Sequence, residues 1–241
     1  MTKNIFIAGK EPPEVNEFAD VFSMDKYNVS VANDDENKNA LSSPDVKVVQ
    51  WNKGSSISAR ATVIQAETEI GTIDNAILYF DAPLFASHFT SLSAETLAPA
   101  CDAMILGFQY LTFELMKRIQ QRKANARIVF LLKTTPSFAE VLRNPSLKKA
   151  GSEPANAIVA ASEAAFANFA ENIAATISKT DYVSVLLVAG DDHSDTMRRD
   201  STLAHWLKDY ILAIDEKKVD VKAAKWIKAG EKPSMGFRFF H

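Results

Sequence analysis

The sequence predicts an α/β fold in which a doubly wound parallel sheet of about seven strands has helices on both faces. Short β-branched segments alternate with longer helical patterns. Several of the short segments are almost wholly apolar, as expected of parallel strands that are buried on both sides. The connections are long enough for helical crossovers, which parallel strands need. The predicted strands are residues 4–9, 27–33, 46–51, 76–82, 127–132, 182–190 and 236–240.

Helical patterns fill most of the connections between these strands. The predicted helices span residues 13–24, 56–70, 92–122, 154–178 and 200–216, with a shorter one near 221–229. Polar residues and prolines predict loops at 34–45 and 136–154, and within the second loop 137–143 is compatible with a helical turn. The chain has 241 residues and 47% apolar composition, so we expect one domain covering residues 1–241.

Composition excludes several classes of partner. The net charge is -3 and the sequence pI is near 5.9, which argues against nucleic acid and anionic membranes as partners. Cys101 is the single cysteine, so the chain forms no internal disulfide. The apolar run at the amino terminus is interrupted by Lys10 and Pro12, unlike that of a signal peptide, and no segment approaches the roughly 20 apolar residues of a membrane helix. We therefore expect a soluble cytoplasmic protein.

Short fragments at the predicted strand ends and on one helix follow a recognisable order. They are AGKEPPEV at 8–15 with Gly9, FDAP at 80–83 with Ala82, Met104 three residues before Gly107, KTT at 133–135 with Thr134, and Ala189 followed by Gly190. Over essentially its whole length the chain thereby resembles the short-chain dehydrogenase/reductase family. There the corresponding positions carry a TGxxxGxG turn, NNAG, an Asn before a Gly, the catalytic Ser and a Pro-Gly pair. The resemblance implies a Rossmann-type fold.

The same resemblance implies that the catalytic set is lost. In the family a Tyr-x-x-x-Lys pair supplies the general acid or base and the ammonium that lowers its pKa. Val159 and Glu163 occupy those positions here, and Met104 occupies that of the Asn. No tyrosine of this chain is followed by a lysine four residues later. Thr134 or Thr135 offers a hydroxyl in place of the catalytic Ser, although an ordinary hydroxyl at a strand end explains it as well.

The expected cofactor turn is also altered. A dinucleotide site needs glycines and backbone N–H groups near the pyrophosphate. Pro12 and Pro13 provide no N–H, and Glu11 and Glu14 place negative charge where phosphates would lie. Proline and glutamate are equally typical of the first turn of any helix. We expect no bound cofactor, with NAD(P) as the alternative, and the positions left for adenosine, phosphate or nicotinamide contacts are Gly9, Asp34, Asn52, Ala82 and Gly190.

Two further features bear on ligands and partners. The DDHSD segment at 191–195 has metal-ligand chemistry, but the sequence supplies no second His or Cys group, so we expect a polar loop and no metal. Nine alanines in 157–175 are more than one core-facing stripe uses, which predicts a homodimer or homotetramer on helices 92–122 and 154–178. High helix propensity alone is the competing explanation of the alanines.

The functional hypothesis from sequence is a divergent protein of this family without oxidoreductase activity, a pseudoenzyme that acts by binding or assembly. The alternative is an atypical NAD(P)-dependent oxidoreductase with a remodelled site. A small-molecule ligand at the strand carboxyl ends, near Ala82, Thr134 and Gly190, is a third hypothesis.

Overall fold

A computed structural model describes residues 3–34, 43–91, 93–148, 153–216 and 224–232. The described residues form one parallel sheet of seven strands in the order β3-β2-β1-β4-β5-β6-β7. This confirms the predicted doubly wound α/β fold. The strands are β1 (Asn4–Ala8), β2 (Asn28–Asn33), β3 (Val46–Gln50), β4 (Asn75–Asp81), β5 (Ala126–Thr134), β6 (Val183–Asp191) and β7 (Trp226–Lys228).

Helices cover both faces of this sheet. Those of the described residues are α1 (Asn16–Met24), α2 (Ser56–Ile70), α3 (Ala82–His88), α4 (Ala94–Cys101), α5 (Gly107–Arg122), α6 (Phe138–Arg143), α7 (Ala157–Ile177) and α8 (Asp200–Asp215). Helices α1 and α8 pack together on one face, and α2, α5 and α7 cover the other. No described helix has the length and apolarity needed to cross a membrane.

Successive side chains of each strand point to opposite faces of the sheet and so form two separate hydrophobic layers. In β1, Ile5 and Ile7 pack against α1, whereas Phe6 and Ala8 belong to the layer under α5 and α7. All four are fully buried. Because successive side chains of a strand point to opposite faces, a doubly covered strand must be apolar at every position. Fully burying one large side chain stabilises the fold by about 1.5–3 kcal/mol, so this pattern favours the observed packing strongly.

The first six predicted strands are confirmed to within two residues at each end. The seventh, at 236–240, lies outside the described residues. The helix predicted near 221–229 is wrong in its described part, because Trp226–Lys228 forms strand β7. This short segment pairs in parallel with Leu187–Ala189 of β6. A three-residue strand has too few positions to show a period in sequence, so only the neighbouring strand reveals it.

The long helix predicted at 92–122 is divided in the structure. Helix α4 contains Pro99, and a π-helical segment, Asp102–Leu106, connects α4 to α5. Proline cannot donate the helical hydrogen bond, and widened turns commonly relieve such disruption. Gly107 then begins α5, where an added Cβ would lie 2.8 Å from Cζ2 of Trp51. The glycine therefore permits α5 to pack closely over the end of β3.

The sequence predicts no helix at α3 and only a possible helical turn at α6. Helix α3 begins immediately after β4, where the Asp81 side chain caps it by accepting a hydrogen bond from the Leu84 N–H. Helix α6 lies within the predicted loop 136–154 and begins with a capping box between Ser137 and Glu140. Both are short, so local caps rather than an amphipathic pattern define them.

Candidate ligand site at the carboxyl edge of the sheet

The strand order reverses between β1 and β4, and the crevice at that point is where open α/β sheets bind ligands. Gly9 lies at its base with φ +103, a conformation that favours glycine. An added Cβ would lie 2.6 Å from Cε1 of Phe108 and would also collide with the Tyr79 carbonyl oxygen. Close contact with β4 and α5 is therefore sufficient to require glycine at this position, without any bound phosphate.

The side chain of Lys10, two residues after β1, reaches the end of the neighbouring strand β4. Its Nζ lies 2.6 Å from Oδ2 of Asp81, at the end of β4, and forms a second ion pair with Asp200, the first residue of α8. The lysine side chain is only 8% exposed. Nζ also lies 5.0 Å from the centre of the Tyr79 ring, whose hydroxyl donates a 3.0 Å hydrogen bond to Asp200. We call these four residues the Lys10 cluster.

Electrostatics fix the protonation states in the Lys10 cluster. Burial by itself would lower the pKa of Lys10, but the adjacent carboxylates of Asp81 and Asp200 more than compensate and raise that pKa above its ordinary value. Burial, followed by the same two carboxylates, raises the pKa of Tyr79 well above normal. The lysine is therefore a charged ammonium and the tyrosine a neutral phenol, so neither is prepared to act as a nucleophile or a base near neutral pH.

A second ion pair joins the loop after β1 to the loop after β3. Glu11, which follows Lys10, pairs with Lys53 in the loop after β3. The Lys53 ammonium lies 5.7 Å from the centre of the Trp51 ring. The charge of Glu11 is thus balanced within the protein, so the repulsion of phosphates that the sequence suggested is weaker at this residue than expected.

The positions expected to contact adenosine are placed at the ends of β2 and β3. Asp34 is exposed directly after β2. Asn52 makes hydrogen bonds within its own loop, because its N–H donates to the Ser58 hydroxyl and its side-chain oxygen accepts from the Gly54 N–H.

The two remaining expected positions lie at the ends of β4 and β6. Ala82 is fully buried at the start of α3. An added Cβ at Gly190 would lie 2.5 Å from Cγ of Met197, which therefore packs directly on this glycine.

The positions expected to be catalytic are not brought into the Lys10 cluster. Met104 and Val159 are fully buried in the hydrophobic layer beneath α5 and α7. The Thr134 hydroxyl donates to the Gly190 carbonyl across the β5–β6 pair at 3.3 Å. The structure thus separates an apolar region on the α7 side from the charged cluster, whose Tyr79 packs on the α1–α8 side.

Glu163 differs from the other expected catalytic positions because it is ionisable and partly accessible. Burial is the main cause that raises the pKa of its carboxyl to about 7, and the charge of Glu140 adds to it. A hydrogen bond from the Thr135 backbone N–H opposes the shift. The helix is positioned by Asn156, whose side-chain oxygen caps α7 at its first turn. This carboxyl can exchange a proton near neutrality.

The loop after β6 contains the one three-residue metal-compatible group found among the described residues. Candidate ligand atoms of Asp191, Asp192 and His193 lie within 4.8 Å of one another. The His193 backbone N–H donates to Asp191, as in an ordinary turn. Three adjacent residues on one loop provide only part of a typical ligand set, so the absence of a metal remains a prediction.

Sequence reasoning missed Lys10, Tyr79, Asp81 and Asp200 as a group. Lys10 and Asp81 lie within fragments that were compared with the family pattern, at the ends of adjacent strands. A charged residue directly after a buried strand was therefore the available signal. Asp200 is 119 residues beyond Asp81 in the chain, so no spacing pattern connects the two.

Solved structures that are similar to this chain include bacterial dehydrogenases and reductases. A short-chain dehydrogenase from Leptospira borgpetersenii with bound NAD+ has a TM-score of 0.68 and 10% identity, covering 95% of this chain and 91% of the other. A short-chain dehydrogenase from Bacillus anthracis has a TM-score of 0.67 and 14% identity, covering 94% of each chain. A 3-ketoacyl-(acyl-carrier-protein) reductase from Brucella melitensis complexed with NADH has a TM-score of 0.66 and 14% identity, covering 95% and 97%.

No protein-family model matches the sequence, and no curated protein sequence is similar to it. The comparisons therefore show that the chain has the fold of the short-chain dehydrogenases. At these levels of identity they concern the fold alone, and the chemistry has to be argued from the residues present.

Proposed function

We propose that this protein has a dehydrogenase fold without oxidoreductase activity and acts by binding or assembly. The observation that supports the proposal is the Lys10 cluster, which places a buried ammonium held by two carboxylates at the β1–β4 crevice. A dinucleotide in the usual position would need that crevice.

Opening the crevice has an energetic cost. Separating a buried charge from its partners costs about 3–5 kcal/mol, which corresponds to a loss of roughly 100-fold to several thousand-fold in affinity. The Glu11–Lys53 pair adds a second obstacle towards the end of β3. Pro12 and Pro13 offer no backbone N–H to a pyrophosphate. These features together support weak or absent binding of nicotinamide cofactors.

Calorimetric titration tests this proposal directly. We expect no binding of NAD+, NADH, NADP+ or NADPH at micromolar concentrations, because the ammonium and its carboxylates occupy the crevice. Micromolar affinity for any of the four would overturn the proposal. The Lys53→Met variant, titrated in parallel, distinguishes an obstacle at β3 from one at Lys10.

The alternative function is an atypical NAD(P)-dependent oxidoreductase. It is supported by similar structures that hold NAD+ and NADH. It requires the Lys10 side chain to move when a cofactor binds. NADPH consumption in the presence of a panel of carbonyl compounds would support this alternative, provided that it saturates with cofactor and is absent without the carbonyl compound.

We further propose a homodimer or homotetramer formed through α5 and α7. Phe113 is 54% exposed, and its ring lies 5.9 Å from that of Phe169 on α7. A small pocket beside Phe169 is lined by Met104, Ile105, Phe108, Gln109, Ala165, Phe166 and Phe169. Aromatic rings next to small alanines suit a close helix–helix contact with a second copy.

Light scattering after size exclusion tests the assembly. The parent protein should be larger than the 26.5 kDa monomer at micromolar concentration. Ala167→Arg or Phe169→Glu should dissociate it, because each places a charge in an apolar contact. Circular dichroism checks that the fold is retained, and Glu17→Lys provides a charge-changing control on an exposed position of α1, on the other face of the sheet. A parent protein that elutes as a monomer would refute the proposed assembly.

A further inference from the structure

A cavity lies at the amino edge of the sheet, opposite the edge that holds the Lys10 cluster. Its volume is about 620 Å³. The residues at or just before the starts of β4, β5 and β6 line it, together with the end of α8, and they include Asp74, Arg127, Asp181, Tyr182 and Asp215. Pockets that hold small molecules have volumes of about 300–1,000 Å³, so this cavity is large enough for one.

Backbone hydrogen bonds set the spacing of the residues that line the cavity. The Arg127 N–H donates to the Asp74 carbonyl oxygen at 2.8 Å, and the Ala126 N–H donates to the Tyr182 carbonyl oxygen at 2.9 Å. Neighbouring strands are about 4.8 Å apart, so the main chains at Asp74 and Tyr182 lie roughly 10 Å apart across β5. A small organic molecule fits between side chains at that separation.

The positive charges in the cavity lining already have a counter-ion. Lys3 and Arg127 both form ion pairs with Asp215, and Arg127 also donates to the Asn75 side chain at 3.2 Å. Burial alone would raise the pKa of Asp215, but hydrogen bonds from Lys3 and Arg127 lower that pKa below its ordinary value. Asp215 is therefore ionised at neutral pH and balances the two basic side chains in part.

Negative charge remains available at the same edge of the sheet. The described lining residues include three aspartates, Asp74, Asp181 and Asp215, against two basic residues. Asp181 is exposed and forms no ion pair within the described part of the chain. Helices α7 and α8 also end here, at Ile177 and Asp215, and the carboxyl ends of helices carry partial negative charge. The cavity therefore favours a cation over an anion.

Tyr182 adds an aromatic group beside this negative charge. It follows Asp181 directly, lines the cavity and is 39% exposed. Its φ of +71 lies in the left-handed region, which favours glycine and is rare for a bulky side chain. Residues in such conformations are concentrated at functional sites. An aromatic ring attracts a cation that lies within about 6 Å of its face, so a tyrosine at this position suits a positively charged ligand.

We propose that this cavity binds a small organic cation, whose ammonium group lies between the Asp181 carboxylate and the Tyr182 ring. The carboxylate accepts an ammonium N–H, and the ring attracts the positive charge. This inference rests on the proposed binding role of the protein and names its class of ligand. The site is at the edge opposite the β1–β4 crevice, so it does not depend on whether a nicotinamide cofactor can enter that crevice.

Titration with butylammonium, followed by amide NMR spectra at neutral pH, tests the site. We expect saturable binding at millimolar concentrations, with the largest shifts at the backbone amides of Ala126, Tyr182 and their neighbours. Butyrate and 1-butanol have the same carbon chain without the positive charge, so they should bind about tenfold more weakly or less. Shifts confined to other regions, butyrate binding as tight as that of butylammonium, or no saturable binding would each overturn the proposal.

Variants separate the roles of the carboxylate and the ring. Asp181→Asn keeps the shape of the side chain but removes its charge, and it should weaken butylammonium binding by about fivefold or more. Tyr182→Leu should weaken binding by about three- to tenfold, whereas Tyr182→Phe keeps the ring and should stay within about twofold of the parent. Amide spectra of the free variants check that each retains the fold.

A charge control completes the experiment. Glu95→Gln removes an exposed charge on α4 and should leave the affinity unchanged. Equal losses in Asp181→Asn and Glu95→Gln would show attraction to the net charge of the protein alone and would refute the site. Titrations with nicotinamide cofactors on the same samples are a separate measurement, so failure of this site and failure of the proposed function are distinguishable.

Discussion

A buried lysine and a partly buried glutamate at the carboxyl edge of the sheet are accommodated in opposite ways. Lys10 lies between two carboxylates, and its charged form is stabilised. Glu163 receives one backbone hydrogen bond and faces another carboxyl group, so its charged form is destabilised. The difference shows that the charge of Lys10 is compensated by nearby carboxylates, whereas ionisation of Glu163 is opposed by its surroundings.

Removing the positive charge of Lys10 should have the largest effect on stability. Lys10→Met keeps the length of the side chain but leaves Asp200 buried without its cation and Asp81 with only Lys133, whose Nζ lies 3.9 Å away. We expect the free energy of unfolding to fall by about 3–5 kcal/mol, measured by urea denaturation at pH 7.

A matched control separates charge from packing in that measurement. Lys53→Met removes the partner of Glu11, whose side chain is 23% exposed, so its cost should be smaller. Adding Asp200→Asn to Lys10→Met should recover part of the lost stability, because one buried negative charge is then removed. Equal costs for Lys10→Met and Lys53→Met would show that the Lys10 cluster contributes no special electrostatic stability.

A substitution at Glu163 should change the free energy of unfolding by a smaller amount and in the opposite direction. The pKa of Glu163 is raised from 4.5 to about 7 in the folded protein. The folded state therefore holds its proton more tightly, and the cost of ionisation grows as pH rises from 4.5 to 7. Glu163→Gln removes this cost, so it should stabilise the protein by about 1–3 kcal/mol at pH 8 and by almost nothing at pH 4.5.

Urea denaturation at the two pH values checks the sign. Glu171→Gln is a suitable comparison on the same helix, because Glu171 accepts a hydrogen bond from the Trp226 indole and has a role of its own. That variant should not show the stabilisation at pH 8. A Glu163→Gln variant whose stability relative to the parent is the same at both pH values would contradict the raised pKa.

The smallest expected effect is on catalysis. Val159→Tyr combined with Glu163→Lys rebuilds the Tyr-x-x-x-Lys pattern, but it leaves Lys10 in the crevice and Met104 in the apolar layer. We expect no NADPH turnover above the parent with a panel of ketones. Appreciable turnover would show that the tyrosine and lysine were all that catalysis lacked, and it would favour the oxidoreductase alternative.

The candidate site was less predictable than the fold. Gly9 was selected as a phosphate-turn glycine, and the structure supplies a different reason for it, the contact with Phe108 and β4. Glu11 was selected as a charge that repels phosphates, but Lys53 balances it. In both cases the decisive neighbour is distant in the chain. Residue type at one position does not specify which group will lie against it.

The sequence by itself determined the sheet and its two hydrophobic layers. Continuous apolar segments such as 76–80 leave no polar face, so they must lie between helices, and the long crossovers make the strands parallel. Local periodicity carries this information because it reports burial within each segment. Strand β7 was not predicted, since three residues on a sheet edge are too few to show a periodic pattern.

Only the tertiary structure decided how the charged residues are paired. Lys10, Asp81 and Asp200 come from the start, middle and end of the chain, and the strand order and the packing of α8 bring them together. Ion pairing depends on distance and burial in three dimensions, neither of which a sequence pattern reports. For the same physical reason, the raised pKa of Glu163 emerged only when α6 and the end of β5 were seen beside α7.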